Sequence, residues 1–193
     1  NYNCSGNGFI LGADNVNISG AGYNFTGNGS GIAFNLTGQS GIIVEELTIT
    51  NYTDGLRLTD TNHSIFTNLV VTNNTNGIIF NNSHNNTVYG GSWANNTDQN
   101  ISLTNAGETN NSLVNISVKA EDIDVSGTAT VYLKWYVTVN ATYNNGSALP
   151  NAQVYGYLNN TTTLDDSGTT GSNGTIQLIL SELKKDSSGV TYL

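Results

Sequence analysis

The chain has 193 residues, enough for one or two domains of ordinary size, and only 10% of them are charged, with a net charge of −9. Five Lys and Arg residues cannot form a phosphate-tracking patch, which excludes nucleic acid and anionic membrane surfaces as partners. No segment reads as a signal-peptide core or a membrane-length apolar run, so no membrane insertion is expected here and solubility must rest on Asn, Ser, Thr and Gly or on attached sugar.

The chain opens at Asn1 without Met and reads as a processed product or an excised portion of something longer. Its single cysteine, Cys4, permits no internal disulfide, and burial as a small apolar residue is the simplest expectation for it.

From residue 9 onward the chain repeats itself. Apolar pairs recur at Phe9/Leu11, Ile32/Phe34, Leu56/Leu58, Ile78/Phe80 and Ile101/Leu103, in steps of about 22 to 24 residues. Residues two apart share one face of a strand, so Ala33, Arg57 and Ile79 between them face the other way. A second face recurs at Phe25, Ile49, Val71 and Trp93, each preceded two residues earlier by Tyr23, Leu47, Leu69 or Gly91. Frequent Gly and Asn argue against helices. A strand unit of about 22 residues cannot bury its apolar face alone, so successive units must stack into a parallel β-helix of about five rungs. The leucine-and-asparagine consensus of leucine-rich repeats is missing.

The stretch "CSGNGFILGADNVNISGAGYNFTGNGSGIAF", followed by "VEELTITNYTDGLRLTDTNHSIFTNLVVTNNTNGIIFNNSHNNTV", resembles the right-handed parallel β-helix repeats of archaeal and bacterial surface proteins, a group associated with periplasmic copper-binding, nitrous-oxide-reductase accessory proteins. The resemblance spans roughly residues 4–118 and implies fold rather than chemistry. Residues 1–122 are expected to form the β-helix domain.

Beyond it the pattern changes. "TVYLKWYVTVN" at 130–140 alternates over a longer strand, and "NNGSALPNAQVYGYL" and "GTTGSNGTIQLILSEL" read as strands joined by turns at Pro150 and at Asn-Gly. Residues 123–193 are thus expected to form a small antiparallel β-sandwich. Trp135, Pro150 to Val154 and Ser172 to Thr175 resemble the Ig-like, carboxypeptidase-regulatory-like modules of archaeal surface proteins. The segment is short for a closed sandwich, which points to completion by another chain or copy, or by further residues.

The most unusual feature is the density of Asn-x-Ser/Thr. There are 19 such triplets, where random order of the same residues gives about seven. One cause is structural: Asn51, Asn73 and Asn95 fall at equivalent rung positions, where stacked amides would bond along the axis. The other is N-glycosylation, with acceptors at Asn17, Asn24, Asn28, Asn35, Asn51, Asn62, Asn73, Asn81, Asn85, Asn95, Asn100, Asn110, Asn115, Asn140, Asn145, Asn159 and Asn173. Glycans on adjacent rungs ~4.8 Å apart would crowd, so many but not all sites are expected to be filled. Asn159 and Asn160 are not expected to be filled together. Acceptors in the non-repetitive second segment favour glycosylation, which places the chain outside a cell, on a secreted or surface-displayed molecule.

Residues suited to chemistry are sparse. "NYTDGLRL" at 51–58 resembles the Asn-Thr-Asp-Gly segment of polygalacturonases, but the paired Asp, Gly-His-Gly and Arg-x-Lys segments of that family have no counterpart in residues 55–118, and Asp54 is better read as opening a rung. Copper would need a cluster of soft or imidazole ligands, and only Cys4, His63 and His84 are on offer, so no metal, catalytic or cofactor site is assigned. Glu121, Asp122 and Asp124 at the junction, and Asp165-Asp166 in an expected loop, are the only calcium candidates. Glu45-Glu46 reads as one solvent-facing residue and one at a rung corner.

These features point to a non-enzymatic, glycosylated structural module. Its expected partners are covalent N-glycans and copies of itself, arranged head to tail in a filament, stalk or surface layer or as tandem repeats. The alternative is a carbohydrate-binding or polysaccharide-cleaving β-helix module, for which the sequence lacks an evident row of aromatics with grouped carboxylates.

Overall fold

The computed structural model describes residues 2–3, 6–105, 109–159 and 162–193; Cys4 and Asn160 lie outside them. The fold is all-β, a parallel β-solenoid of about six turns built from three sheets that share one core.

The first sheet stacks Tyr2–Asn3, Asn24–Thr26, Thr48–Thr50, Val70–Thr72 and Ser92–Ala94. Within it Phe25, Ile49, Val71 and Trp93 pair in register, as the spacing predicts. All four are buried.

The second sheet stacks Phe9–Leu11, Ile32–Thr37, Asp54–Thr59, Asn76–Asn81, Gln99–Leu103 and Ile123–Val125. From the third turn on, its pairs are the expected ones, with Leu56 beside Ile78 and Leu58 beside Phe80. The second turn differs. Phe9 pairs with Phe34 and Leu11 with Leu36, and Leu56 pairs with Phe34 rather than Ile32. A slip of two residues leaves every side chain on its face, so the hydrophobic pattern tolerates either register. Packing distinguishes them, since the Phe34 ring lies 5.1 Å from Phe9 and 5.6 Å from Phe25 and closes an aromatic cluster at this end of the core.

The third sheet was not evident as a series in the sequence. It stacks Asn17–Ser19, Ile43–Glu45, Ile65–Thr67, Thr87–Tyr89, Asn111–Val114 and the start of Thr130–Asn140, aligning Ile18, Val44, Phe66, Val88, Leu113 and Leu133.

The parallel ladder therefore runs past residue 122: Ile123 pairs with Ile101, and Val131 to Lys134 pair with Asn111 to Val114. The expected five rungs become about six turns. Val125, Ala129, Val131 and Leu133 belong to the same buried cluster as the earlier turns.

The strand Thr130–Asn140 outgrows the solenoid. It pairs along its whole length with Thr175–Asp186 in antiparallel fashion, and Gly189–Tyr192 adds a further antiparallel strand at the edge. A separate two-stranded ribbon, Gln153–Tyr157 with Leu164–Thr169, lies beside Thr175–Asp186. Among the described residues, the five strands between residues 130 and 192 are fewer than the seven of an Ig-type sandwich. Three of them extend a solenoid sheet, and the ribbon packs Gly156 and Gly168 against the Leu180 and Ile176 side chains of that sheet.

Close stacking explains where glycine is required. A Cβ on Gly77 would lie 2.3 Å from the carbonyl oxygen of Asn100, and one on Gly55 would lie 2.6 Å from the carbonyl of Gly77. Successive coils approach backbone to backbone here, so no side chain fits.

Candidate functional site

The corners of the solenoid are built from asparagine. Asn51, Asn73 and Asn95 occupy one column of left-handed residues, with φ of 65°, 58° and 58°. His63, Asn85 and Asn110 form a second column, and Glu46, Asn68, Gly90 and Asn115 a third. Asparagine tolerates this conformation because its short amide can bond locally, which offsets the crowding of Cβ against the backbone.

The amide ladders form one residue later than the spacing suggests. Asn74, next to the corner residue Asn73, accepts the Tyr52 N–H at 2.9 Å and donates through Nδ2 to the Ile49 carbonyl at 3.2 Å. Asn96 Oδ1 accepts the Asn74 N–H at 3.0 Å. A parallel ladder runs from Ser64 through Asn86 to Asn111, with N–H to Oδ1 distances of 2.9 and 3.0 Å. These side chains replace main-chain pairing where the chain turns inward. Each satisfies groups that burial would otherwise leave without a partner.

The Asn-Asn-Thr phrase thus has a physical reading. Its first Asn sets the left-handed corner and faces solvent, and its second points inward. The column of Asn51, Asn73 and Asn95 is exposed, and the axial amide bonds suggested by its spacing run through Asn74 and Asn96 instead.

Among the candidate acceptors, Asn17, Asn24, Asn28, Asn51, Asn73, Asn85, Asn95, Asn110, Asn115, Asn140, Asn145, Asn159 and Asn173 are exposed, while Asn35, Asn62 and Asn81 are half-buried. Asn100 is buried, and its Oδ1 accepts a bond from Asn96 Nδ2 at 2.8 Å. A glycan there has no room in the folded chain. Asn51 is exposed but donates its Nδ2 to the Gly27 carbonyl at 2.8 Å.

Three acceptors share one local geometry. In Asn28-Gly-Ser30, Asn145-Gly-Ser147 and Asn173-Gly-Thr175 the hydroxyl donates to the asparagine Oδ1 at 2.7 Å, and the main-chain N–H of the same residue donates to it at 3.0 to 3.3 Å. Each turn holds the carboxamide by its oxygen. Its nitrogen, the atom that carries a glycan, has no acceptor among the described residues.

The residues considered for other chemistry are dispersed or engaged. Asp54 is fully buried, forms an ion pair with Arg57 and accepts a bond from Asn76 Nδ2 at 2.9 Å. That is a structural environment, closed to a substrate. His63 and His84 sit on adjacent turns, joined by the His63 N–H to the His84 carbonyl at 3.1 Å, and His84 Nδ1 accepts the Thr109 N–H at 3.3 Å. Glu121 pairs with Lys119, while Asp124 is exposed on the outer side of its strand. Among the described residues no group of three or more His, Cys, Asp or Glu converges to hold a metal. Glu46 takes a corner with φ of 54° and Glu45 lies half-buried beside it.

Asp165 and Asp166 are in the strand Leu164–Thr169, not in a loop. Asp165 Oδ2 accepts the Ser181 N–H at 2.5 Å and Asp166 Oδ2 accepts the Ile179 N–H at 2.7 Å. Both bonds satisfy the edge of Thr175–Asp186 that faces away from Thr130–Asn140, a role that sequence alone did not signal.

The chain matches no protein-family model, no curated protein and no solved structure. The functional reading therefore rests on the molecule itself.

Proposed function

We propose that this chain is a non-enzymatic, heavily N-glycosylated extracellular structural module, a repeating unit of a surface filament, stalk or layer. In this reading the solenoid winds right-handed and the antiparallel segment is a reduced Ig-like module. The observation that carries it is the identical turn at Asn28, Asn145 and Asn173. One lies in the solenoid and two lie outside its repeat, yet each presents an exposed carboxamide nitrogen in the same way. The solenoid template cannot account for the two in the antiparallel segment, whereas selection for acceptor sites can.

Assembly along the solenoid axis is supported by the composition of the first-turn end. Phe9, Ile10 and Tyr23 are 42%, 69% and 65% exposed. Among the described residues, Tyr2–Asn3, Phe9–Leu11 and Asn17–Ser19 are the outermost strands of their sheets there, and such edges are normally covered in proteins. The exposed strand Gly189–Tyr192 at the opposite end, belonging to another copy or to a preceding unit of one long chain, is the proposed cover. Repetition of such a head-to-tail contact does not close and generates a fibre.

Electron microscopy of native, glycosylated material tests this. About six turns at ~4.8 Å plus the antiparallel segment give an axial repeat on the order of 50–70 Å. Filaments or arrays with that repeat are expected. Discrete monomeric particles would overturn the assembly.

A further inference from the structure

Both tryptophans of the chain come to one place. Trp93, on the first sheet of the solenoid, and Trp135, on the strand that leaves it, line a single open cleft of about 670 Å³ between the last turns and the antiparallel segment. They are 42 residues apart in sequence. They meet because Val131 to Lys134 pair with Asn111 to Val114, which carries Trp135 back over the fifth turn. The volume is that of a small-molecule site.

The two indoles differ in role. Trp93 is 1% exposed and forms the floor, with its Nε1 donating to the Gly90 carbonyl at 3.4 Å. Trp135 is half-buried, and its Nε1 donates to Glu182 Oε2 at 2.5 Å. Glu182 is the extra residue of a bulge, since Leu133 pairs with Leu183 and Lys134 with Ser181. The bulge thereby supplies a carboxylate that fixes the ring before anything binds.

Around the indoles lie Asn95, Ser117, Lys119 and Asp122. The side chains of Asn95 and Asp122 have no hydrogen-bond partner among the described residues, and the Lys119 ammonium touches only exposed Glu121 at 3.2 Å. One cation and one anion nearly cancel, which disfavours a strongly charged ligand. An aromatic wall ringed by an amide, a hydroxyl, an ammonium and a carboxylate suits a pyranose. Its C–H face packs on an indole and its hydroxyl rim takes up such polar groups.

We propose that this cleft is a saccharide-binding site, with Trp135 as the stacking platform and Asp122 and Asn95 as hydrogen-bonding partners of the sugar hydroxyls. Two sources could supply the sugar. Asn95 is itself a candidate acceptor at the lip of the cleft, so its own glycan can fold onto Trp135; a glycan from a neighbouring molecule is the other. The first source rests on the glycoprotein reading, and the site itself does not.

Intrinsic fluorescence reports on the site directly, because the chain has no tryptophan elsewhere. The full chain, produced in a host that adds no N-glycans, is titrated to about 10 mM with mannose oligomers, N-acetylglucosamine oligomers and the oligosaccharides released from native material. Saturable change with at least one of them is the expected result, with affinity, followed for the variants by calorimetry, weakened at least tenfold by Trp135→Ala and several-fold by Asp122→Asn at a half-buried position on the cleft wall. No change with any sugar, or a change that both variants leave intact, overturns the site.

Acrylamide quenching of native material then separates the sources. Quenching that rises when Thr97→Ala removes the Asn95 acceptor assigns the site to the chain's own glycan. Unchanged quenching together with binding of added sugar assigns it to a neighbour's. Should native material carry no glycan at all, the glycoprotein reading fails while the titration still decides the cleft.

Discussion

Asn96 Oδ1 accepts two bonds from Asn74, one from its main-chain N–H at 3.0 Å and one from its Nδ2 at 3.2 Å. Asn74 in turn accepts the Tyr52 N–H and donates to the Ile49 carbonyl, so one buried amide links three consecutive turns. Replacing it orphans main-chain groups that water cannot reach. Asn74→Ala is expected to cost about 2–4 kcal/mol, seen as a lower urea midpoint. Its neighbour Asn73 provides the control: it is exposed with φ of 58°, so Asn73→Gly keeps the corner and stays within about 0.5 kcal/mol. Equal midpoints for the two variants would refute the ladder.

The same doublet shows what the sequence did and did not disclose. Spacing found the column of Asn73 and Asn95 because the steps from Ile49 to Trp93 hold at 22 residues. It could not tell which Asn of each pair turns inward, since adjacent residues have opposite facing and identical chemistry. The register at Phe34 was hidden for the complementary reason: a shift of two preserves facing. The column from Ile18 to Leu133 escaped notice because variable corner loops spread its steps between 20 and 26 residues. The tryptophan cleft was beyond pattern reading altogether. It depends on where Thr130–Asn140 docks, a long-range pairing that no local period encodes.

Occupancy of the acceptors should follow exposure and freedom of the amide nitrogen. Asn28, Asn145 and Asn173 are expected to be the most fully glycosylated, Asn51 less so because Gly27 holds its nitrogen, and Asn100 not at all. Asn51, Asn73 and Asn95 stack on neighbouring turns ~4.8 Å apart, so full occupancy of all three on one molecule is not expected. Mass mapping of chymotryptic glycopeptides from native material measures this. A glycan on Asn100, or bare Asn145 and Asn173 beside a filled Asn100, would contradict the burial argument.

Asp165 holds the strand edge through the Ser181 N–H and the Ser181 hydroxyl, the latter at 3.0 Å. These are charge-assisted bonds in a half-buried setting, which makes them stronger than neutral ones. Asp165→Ala is expected to cost about 1–3 kcal/mol. The loss should be local. Amide exchange at Ser181 and Ile179 should accelerate while amides of the solenoid core, such as those of Leu56 and Ile78, keep their protection. Uniform acceleration across both regions would instead mean that the ribbon is part of one cooperative unit with the solenoid.

Asp186 sits where the last hairpin turns, and its carboxyl is lowered from 3.8 to about 2, first by the Ser188 hydroxyl, then by Lys184 and the Ser188 N–H. The ammonium of Lys184 lies 3.0 Å from Oδ2 and the Ser188 N–H lies 2.9 Å from Oδ1. A folded pKa below the unfolded one means that the native turn favours the carboxylate. Its contribution is therefore complete above about pH 4 and is lost as pH falls toward 2. Because the half-buried group sits in a hairpin turn at the sheet edge, the effect should loosen the Asp186 to Gly189 turn without unfolding the solenoid. A carbon-detected NMR titration should place the Asp186 midpoint near 2, and Ser188→Ala should return it toward 3.8. An unshifted wild-type midpoint would show that water, not Ser188, solvates this carboxylate, and that the hairpin edge Gly189–Tyr192 is held by its main-chain ladder alone.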